Sequence, residues 1–175
     1  FVYYFKDHTK MSSEKQVPRQ PIGAGDVKKS NFVMLKNRPC KIAEVKTSKT
    51  GKHGHAKANI TGVCVLTHQK CNEVHPASAS LVAFHLEKLD YLVSDVTNTD
   101  GQIVISALDD DNNEVQFYAQ PNNELCQGKA LAEAFSDDKQ FLVTVIRAPV
   151  QIGDNDFKDE QLIEAFREDK GGAKF

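Results

Sequence analysis

Short apolar segments separated by turn residues are the feature of this sequence that most restricts its fold. In residues 26–86 each segment is only a few residues long and rich in β-branched or apolar side chains, and none continues with a helical period. Segments at this spacing are typical of small β-barrels and sandwiches. The strands predicted in this half are residues 31–35, 40–45, 58–60, 62–66 and 81–84.

The second half contains further strand-like segments and two helical signals. Residues 89–93, 102–107, 114–118 and 141–146 are predicted strands. Leu125, Leu131, Ala132 and Phe135 recur at roughly helical spacing, which predicts one helix between residues 123 and 138. Three strands, a helix and a further strand are compatible with a five-stranded OB-type barrel.

A second helix is predicted near the C-terminus, over residues 156–169. Phe157, Leu162, Ile163 and Phe166 lie partly on one helical face, and acidic residues occupy its first turns, where the helix dipole favours them. The expected fold is therefore all-β, with two small barrels, one inserted helix and one helix at the end.

The distribution of charge supports two domains in this chain of 175 residues. The net charge is −2, but residues 1–86 carry fourteen Lys and Arg against five Asp and Glu, whereas residues 87–175 carry eight against nineteen. A basic half points to a nucleic-acid or acidic partner. The expected divisions are a flexible arm (1–25), a basic barrel (26–86), an acidic OB-type domain (87–150) and a C-terminal helix with its tail (151–175).

The four cysteines and the hydropathy bear on location. Cys40, Cys64, Cys71 and Cys126 have irregular spacing, so we expect reduced thiols in an intracellular, cytoplasmic protein. No apolar run approaches the length of a membrane helix, and no membrane partner is expected. Residues 64–75 place Cys and His at intervals that match no zinc finger or knuckle, so no metal site is predicted.

The most unusual segment is Thr-Ser-Lys-Thr-Gly-Lys-His-Gly-His-Ala-Lys, residues 47–57, between two predicted strands. Gly51 and Gly54 flank Lys52 and His53 and permit a sharp turn. The segment is not a phosphate-binding P-loop, because Lys46 replaces the required Gly and His53 replaces Ser or Thr. From the residues alone, two interpretations remain open: a solvated basic hairpin, or a cation presented for phosphate contact or enzymatic modification.

This segment closely resembles the modification loop of the eukaryotic translation initiation factor 5A family. Lys28-Lys29, Arg38-Pro39-Cys40-Lys41 and the order of a basic barrel before an acidic one are also similar, and the resemblance spans roughly residues 17–148. It implies an N-terminal SH3-like barrel, a C-terminal OB fold and no enzymatic activity, cofactor or metal of its own. It further implies that Lys52 is converted to hypusine by deoxyhypusine synthase, using spermidine, and by deoxyhypusine hydroxylase.

The same resemblance implies a role at the ribosomal E site. The modified side chain would reach the acceptor end of the P-site peptidyl-tRNA, relieve stalling at sequences such as consecutive prolines and assist termination. Partners would include rRNA and ribosomal proteins. The residues expected to form the loop and its RNA contacts are Lys49, Thr50, Gly51, His53, Gly54, His55 and Lys57. The alternative is a general RNA-binding module that uses the basic barrel and is indifferent to Lys52.

Overall fold

The computed structural model describes residues 15–49, 51, 54–120 and 123–171. Six strands form the first sheet, in the spatial order β1-β6-β2-β3-β4-β5. They are β1 (Arg19–Gly23), β2 (Phe32–Leu35), β3 (Arg38–Lys49), β4 (Ala56–Cys64), β5 (Lys70–Pro76) and β6 (Ser80–Phe84). One 3-10 turn, Ala24–Asp26, follows β1.

Five strands form the second sheet, in the spatial order β11-β10-β7-β8-β9. They are β7 (Glu87–Thr99), β8 (Gln102–Leu108), β9 (Glu114–Tyr118), β10 (Phe141–Gly153) and β11 (Asp156–Glu168). Helix α1 (Gly128–Ala134) lies between β9 and β10 in the chain. Three strands, a helix and two strands in this order have the connectivity of an OB-type barrel, as predicted.

The chain divides into two compact units. The N-terminal unit comprises Gln16–Lys88 together with Ile146–Leu162, and the C-terminal unit contains Leu89–Val145 and the residues from Ile163 onward. The ends of β10 and β11 that meet at their connecting turn therefore belong with the N-terminal unit.

The core of the N-terminal unit is built by strand alternation. Along β4, Ala58, Ile60 and Cys64 are fully buried, while Lys57 and Asn59 face solvent. Successive side chains of a strand point to opposite faces, so this alternation directs one face of β4 into the core. Leu35 and Ile42 from the neighbouring strands complete that layer.

The core of the C-terminal unit is closed by α1. Leu131 of the helix is fully buried in one cluster with Ile105, Phe117 and Val143. The backbone N–H of Gln127, directly before the helix, donates to the carbonyl of Ile163 at 2.9 Å. The helix is shorter than the predicted span of residues 123–138, and Leu131 is its fully buried apolar anchor.

The predicted C-terminal helix is wrong, because residues 156–168 form strand β11. Half-buried Phe157 and Asp159 alternate with exposed Lys158 and Glu160, which is the period of a strand. Asn155, with φ 54°, reverses the chain so that β11 returns beside β10. Pairing in the sheet overrides the helical propensity of this Glu- and Leu-containing segment.

The predicted flexible arm is wrong for its last residues. Residues 19–23 form β1, which pairs antiparallel with β6 from Arg19 opposite Phe84 to Gly23 opposite Ser80. Pro21 is compatible with this strand because β1 lies at the edge of the sheet, where a missing N–H is tolerated. Ala24 and Val17 on either side are buried.

Candidate functional site: the loop at the tip of a basic hairpin

The candidate loop connects β3 and β4, which form a long antiparallel hairpin. Their register runs from Cys40 opposite Cys64 to Lys49 opposite Ala56. The register shifts between Ile42 and Glu44, so Ala43 forms a β-bulge. A bulge bends its strand and increases the local twist, and it lies where the hairpin leaves the part of β3 that also pairs with β2.

The distal part of β3 is an edge of the sheet, whereas β4 beside it also pairs with β5 as far as Lys57 opposite Pro76. Strand β2 pairs only with residues 38–41 of β3, so residues 44–49 pair with β4 alone. Residues 46–49 are all exposed, although their side chains alternate between two faces. Neither face of β3 is covered there, and Lys49 stands clear of the core.

The two glycines of the loop are themselves described. Gly51 has φ +70°, and a side chain there would meet no atom within 4 Å. The backbone N–H of Gly54 donates to the carbonyl of Gly51 at 3.3 Å. The left-handed φ favours glycine at position 51. The predicted site residues Thr50, Lys52 and His53 lie outside the described residues.

The described cations of the candidate site are accessible. Lys49, His55 and Lys57 are exposed, on the two strands and on the loop side of β4. Lys46 forms an ion pair with Glu44 at 3.5 Å between their side chains, and both side chains are mostly exposed. An exposed pair of this kind contributes little to stability, so Lys46 can exchange Glu44 for another anion at small cost.

An amide network stiffens the outer face of the sheet beside the hairpin. The side-chain amide of Asn72 on β5 donates to Asn59 Oδ1 at 2.6 Å and to Thr61 Oγ1 at 2.8 Å, both on β4. It also lies 3.3 Å from the carbonyl of Ile60. Asn72 was not predicted as a site residue, because β5 contains few apolar residues and no strand was predicted there. In the structure, exposed residues of β5 alternate with less exposed ones.

Glu73 links β5 to the turn between β2 and β3. Its Oε1 accepts a hydrogen bond from the backbone N–H of Lys36 at 2.7 Å, and its Oε2 lies 2.7 Å from His75 Nε2. Lys36 and Asn37 both have positive φ, as a tight hairpin turn requires. His75 is one of the Cys and His residues in the segment 64–75, and its side chain contacts the Glu73 carboxylate.

Three buried thiols lie together in the N-terminal unit. Cys40 is directly opposite Cys64 in the β3–β4 pair, and Cys71 is opposite Gly62 in the β4–β5 pair. Burial raises the pKa of the Cys40 thiol, and the neighbouring Cys71 and Cys64 raise it further. Within the described residues, no group of three or more His, Cys, Asp or Glu side chains is arranged to hold a metal ion.

A second concave surface lies on the C-terminal unit. A groove of about 790 Å³ is bounded by the β7–β8 hairpin and α1. Val96, Ile103 and Ala119 contribute apolar surface, and Lys129 and Glu133 contribute opposite charges. This mixed lining has no single sign of charge that would select a polyanion, so the basic hairpin is the stronger candidate for nucleic-acid contact.

The described helix α1 is far too short to cross a lipid bilayer, and none of the described residues forms a helix that could do so.

Comparison with known proteins matches the N-terminal unit to one family. Residues 18–79 match the family model described as "Translation initiation factor 5A-like, N-terminal". The matched region includes β1 to β5 and the whole β3–β4 hairpin with its loop.

Similarity to individual relatives extends over both units. The chain is 33% identical over 147 residues to eukaryotic translation initiation factor 5A-1 of Arabidopsis thaliana, covering 84% of this chain and 89% of the relative. It is 34% identical over 143 residues to the factor 5A of Zea mays, covering 82% and 85%. A solved structure of a factor 5A family protein from Naegleria fowleri has a TM-score of 0.64 at 36% identity, covering 82% of this chain and 98% of that one.

Proposed function

Because the chain belongs to the eukaryotic translation initiation factor 5A family, and is a translation factor of that family, we propose that it acts on the ribosome through a hypusine formed at Lys52. The observation that carries this proposal is the uninterrupted run of residues 47–57, which includes the end of β3, the connection and the start of β4. The exposure of Lys49, His55 and Lys57 supports it, because enzymes and RNA can reach the residues around position 52.

The modification lengthens one side chain and adds a charge. Deoxyhypusine synthase transfers an aminobutyl group from spermidine to Nζ of Lys52: a new C–N bond replaces one N–H, a C–N bond of spermidine breaks, and 1,3-diaminopropane leaves with the displaced proton. Deoxyhypusine hydroxylase then converts one C–H of the added group to C–OH, with dioxygen as the oxidant and an external two-electron reductant that takes its second oxygen atom to water. The product carries two amines and a hydroxyl, all of which can donate hydrogen bonds to phosphate and ribose oxygens.

The proposed action is positioning at the ribosomal E site. The modified side chain reaches toward the acceptor end of the P-site peptidyl-tRNA and holds it in a reactive orientation, which relieves stalling at sequences such as consecutive prolines and assists termination. Orientation alone can account for large changes in rate, so the factor needs no catalytic group and is not itself an enzyme. It acts in the cytoplasm, with rRNA and ribosomal proteins as its other partners.

Two lysines beside the loop are suited to contact the phosphate backbone of RNA. Lys49 and Lys57 lie on opposite strands at the base of the loop, where Ser48 is opposite Lys57 and Lys49 is opposite Ala56. Two exposed lysines beside the modified side chain suit a phosphate-lined surface, because phosphate contacts fix position without reading bases. RNA recognition by this hairpin is therefore of shape and backbone.

Mass spectrometry of the protein purified from its native cells tests the proposal. The peptide containing Lys52 is expected to be heavier by an aminobutyl and a hydroxyl group. In cells, Lys52→Arg is expected to lose the relief of stalling at consecutive prolines, because arginine keeps the charge and cannot accept the aminobutyl group. Unmodified native Lys52 together with full activity of Lys52→Arg would instead support the general RNA-binding module.

A further inference from the structure

The 3-10 turn Ala24–Asp26 is hydrogen-bonded to the segment that follows β5. The backbone N–H of Ala24 donates to the carbonyl of Ala79 at 2.8 Å, and that of Gly25 donates to the carbonyl of Ala77 at 3.0 Å. The segment is itself closed by the N–H of Ala79 donating to the carbonyl of Pro76 at 2.9 Å. The turn therefore holds this segment through two backbone hydrogen bonds, and the bond from Gly25 is the one to Ala77.

Ala77 in turn holds the base of the candidate loop. Its backbone N–H donates to the carbonyl of Ala56 at 2.8 Å. Ala56 is the first residue of β4 and the partner of Lys49, the last residue of β3. The series from Gly25 through Ala77 to Ala56 thus ends where the chain leaves the loop, four positions after Lys52.

A side chain at the centre of the turn would pack tightly against Ala77. A Cβ on Gly25 would lie 3.2 Å from the Cβ of Ala77 and 3.3 Å from the Ala77 carbonyl oxygen. Ala24, directly before it, is fully buried, and so is Ala58 on β4. Small residues on both sides allow the turn to pack directly against β4 and β5.

The base of the loop needs such support because the last pair of the hairpin, Lys49 with Ala56, lies one residue beyond the end of β5. Only β3 and β4 pair at that position, and two strands without a third are only marginally stable. The other edge of β4 pairs with β5 as far as Lys57 opposite Pro76. The bond between Ala77 and Ala56 extends that support by one residue toward the loop.

We infer that the turn Ala24–Asp26 is a positioning element for the modification loop, with Gly25 acting on Ala56 through Ala77. This inference rests on the proposed function, since the turn affects activity only if the position of Lys52 affects its modification. A side chain at position 25 pushes Ala77 away, lengthens its bond to Ala56 and loosens the base of the loop while the barrel core stays intact.

The test is Gly25→Val, with two measurements on the full chain. Amide hydrogen exchange of Ala77, the donor of the bond to Ala56, and of residues 54–57 is expected to be faster than in the wild type. The kcat/KM for aminobutyl transfer from spermidine to Lys52 by purified deoxyhypusine synthase is expected to fall about tenfold, because small misplacements of a reacting group have large effects on rate. The double variant Gly25→Val with Ala77→Gly is expected to recover part of both, since it removes the Ala77 Cβ but keeps the Ala77 carbonyl oxygen.

The control is Gly153→Val at the end of β10, where a Cβ would be at an ordinary 3.5 Å from the Asp156 Cβ. It is expected to match the wild type in both measurements. If Gly25→Val does not fold, Gly25→Ala provides the milder version. Wild-type exchange at Ala77 and residues 54–57, or a wild-type transfer rate, in a folded Gly25 variant overturns the inference. If the wild-type chain is never modified at Lys52, the proposed function is contradicted. In that case the exchange measurement alone tests whether the turn positions the base of the loop.

Discussion

The carboxylate of Asp159 accepts a hydrogen bond from the backbone N–H of Val17 at 2.8 Å, although 142 positions separate the two residues. Beside this bond, the guanidinium of Arg19 lies over the ring of Phe157, 4.1 Å from its centroid. Val17 is 1% exposed, so its N–H has no access to water. Both contacts lie within the N-terminal unit, and they attach the segment that leads into β1 to the first residues of β11.

Asp159→Ala is expected to lower the free energy of unfolding by about 1–3 kcal/mol, because it leaves the buried N–H of Val17 without an acceptor. Asp159→Asn keeps an acceptor oxygen at the same place and is expected to lose less. Urea denaturation followed by circular dichroism measures both. Wild-type stability of Asp159→Ala would mean that this bond does not hold the segment.

Gly62 lies where three elements meet too closely for a side chain. A Cβ there would be 2.9 Å from the Cβ of Cys40 and 3.2 Å from both Leu35 Cδ1 and the carbonyl oxygen of Lys41. Gly62→Ala is therefore expected to destabilise the N-terminal unit by about 1–3 kcal/mol, the usual effect of overpacking. Thermal unfolding compares it with the matched change Gly153→Ala, for which wild-type behaviour is expected. Equal melting temperatures for the two variants would contradict the packing argument.

The thiols are expected to differ in reactivity. Burial raises the pKa of Cys40. At pH 8 a smaller fraction of Cys40 is therefore thiolate, the reactive form, than of a cysteine with the ordinary pKa. Cys126 is only partly buried. Iodoacetamide is expected to label Cys126 in the folded protein and to label Cys40 only after denaturant is added. Mass spectrometry of the separate peptides follows both, and rapid labelling of Cys40 in the native state would be the contrary result.

The lysines at the base of the loop are expected to contribute to ribosome affinity through charge. Lys49→Gln and Lys57→Gln should each weaken binding and reduce the slope of log affinity against log salt by about 0.7–0.9, the value for one lost phosphate contact. Lys158→Gln, a change of the same charge at an exposed position on β11, is the control. Sedimentation with ribosomes over a range of KCl concentrations gives the slopes. Identical slopes for all three variants would show that the loop lysines have no special contact.

Most strands could be predicted because their evidence is local. Alternation of more and less buried residues in β4 and β9, and turn residues such as Asp100-Gly101 with positive φ at both positions, act over a few neighbouring residues. The candidate loop could also be predicted, since the run of residues 47–57 is continuous in the sequence. These features need no knowledge of distant contacts.

The errors concern segments whose structure depends on a distant partner. Residues 156–168 have enough helix-forming residues to predict a helix, but the reversal at Asn155 places them beside β10, where their backbone groups pair in the sheet. Residues 19–23 look like part of a flexible arm until β6 supplies a pairing strand. A short window of sequence does not contain the distant strand with which it pairs, so local propensity alone predicts the wrong structure there.

The amino-acid sequence by itself determined the all-β class, the strand–helix order of the second barrel and the position of the candidate loop, because alternation, turn residues and a contiguous motif are properties of neighbouring residues. Only the tertiary structure decided that the last segment is a strand, that Asp159 reaches Val17 and that Gly25 supports Ala56 through Ala77. The reason is physical: which distant residues come within hydrogen-bond distance of one another is set by the packing of the whole chain, and the neighbouring residues in the sequence do not specify it.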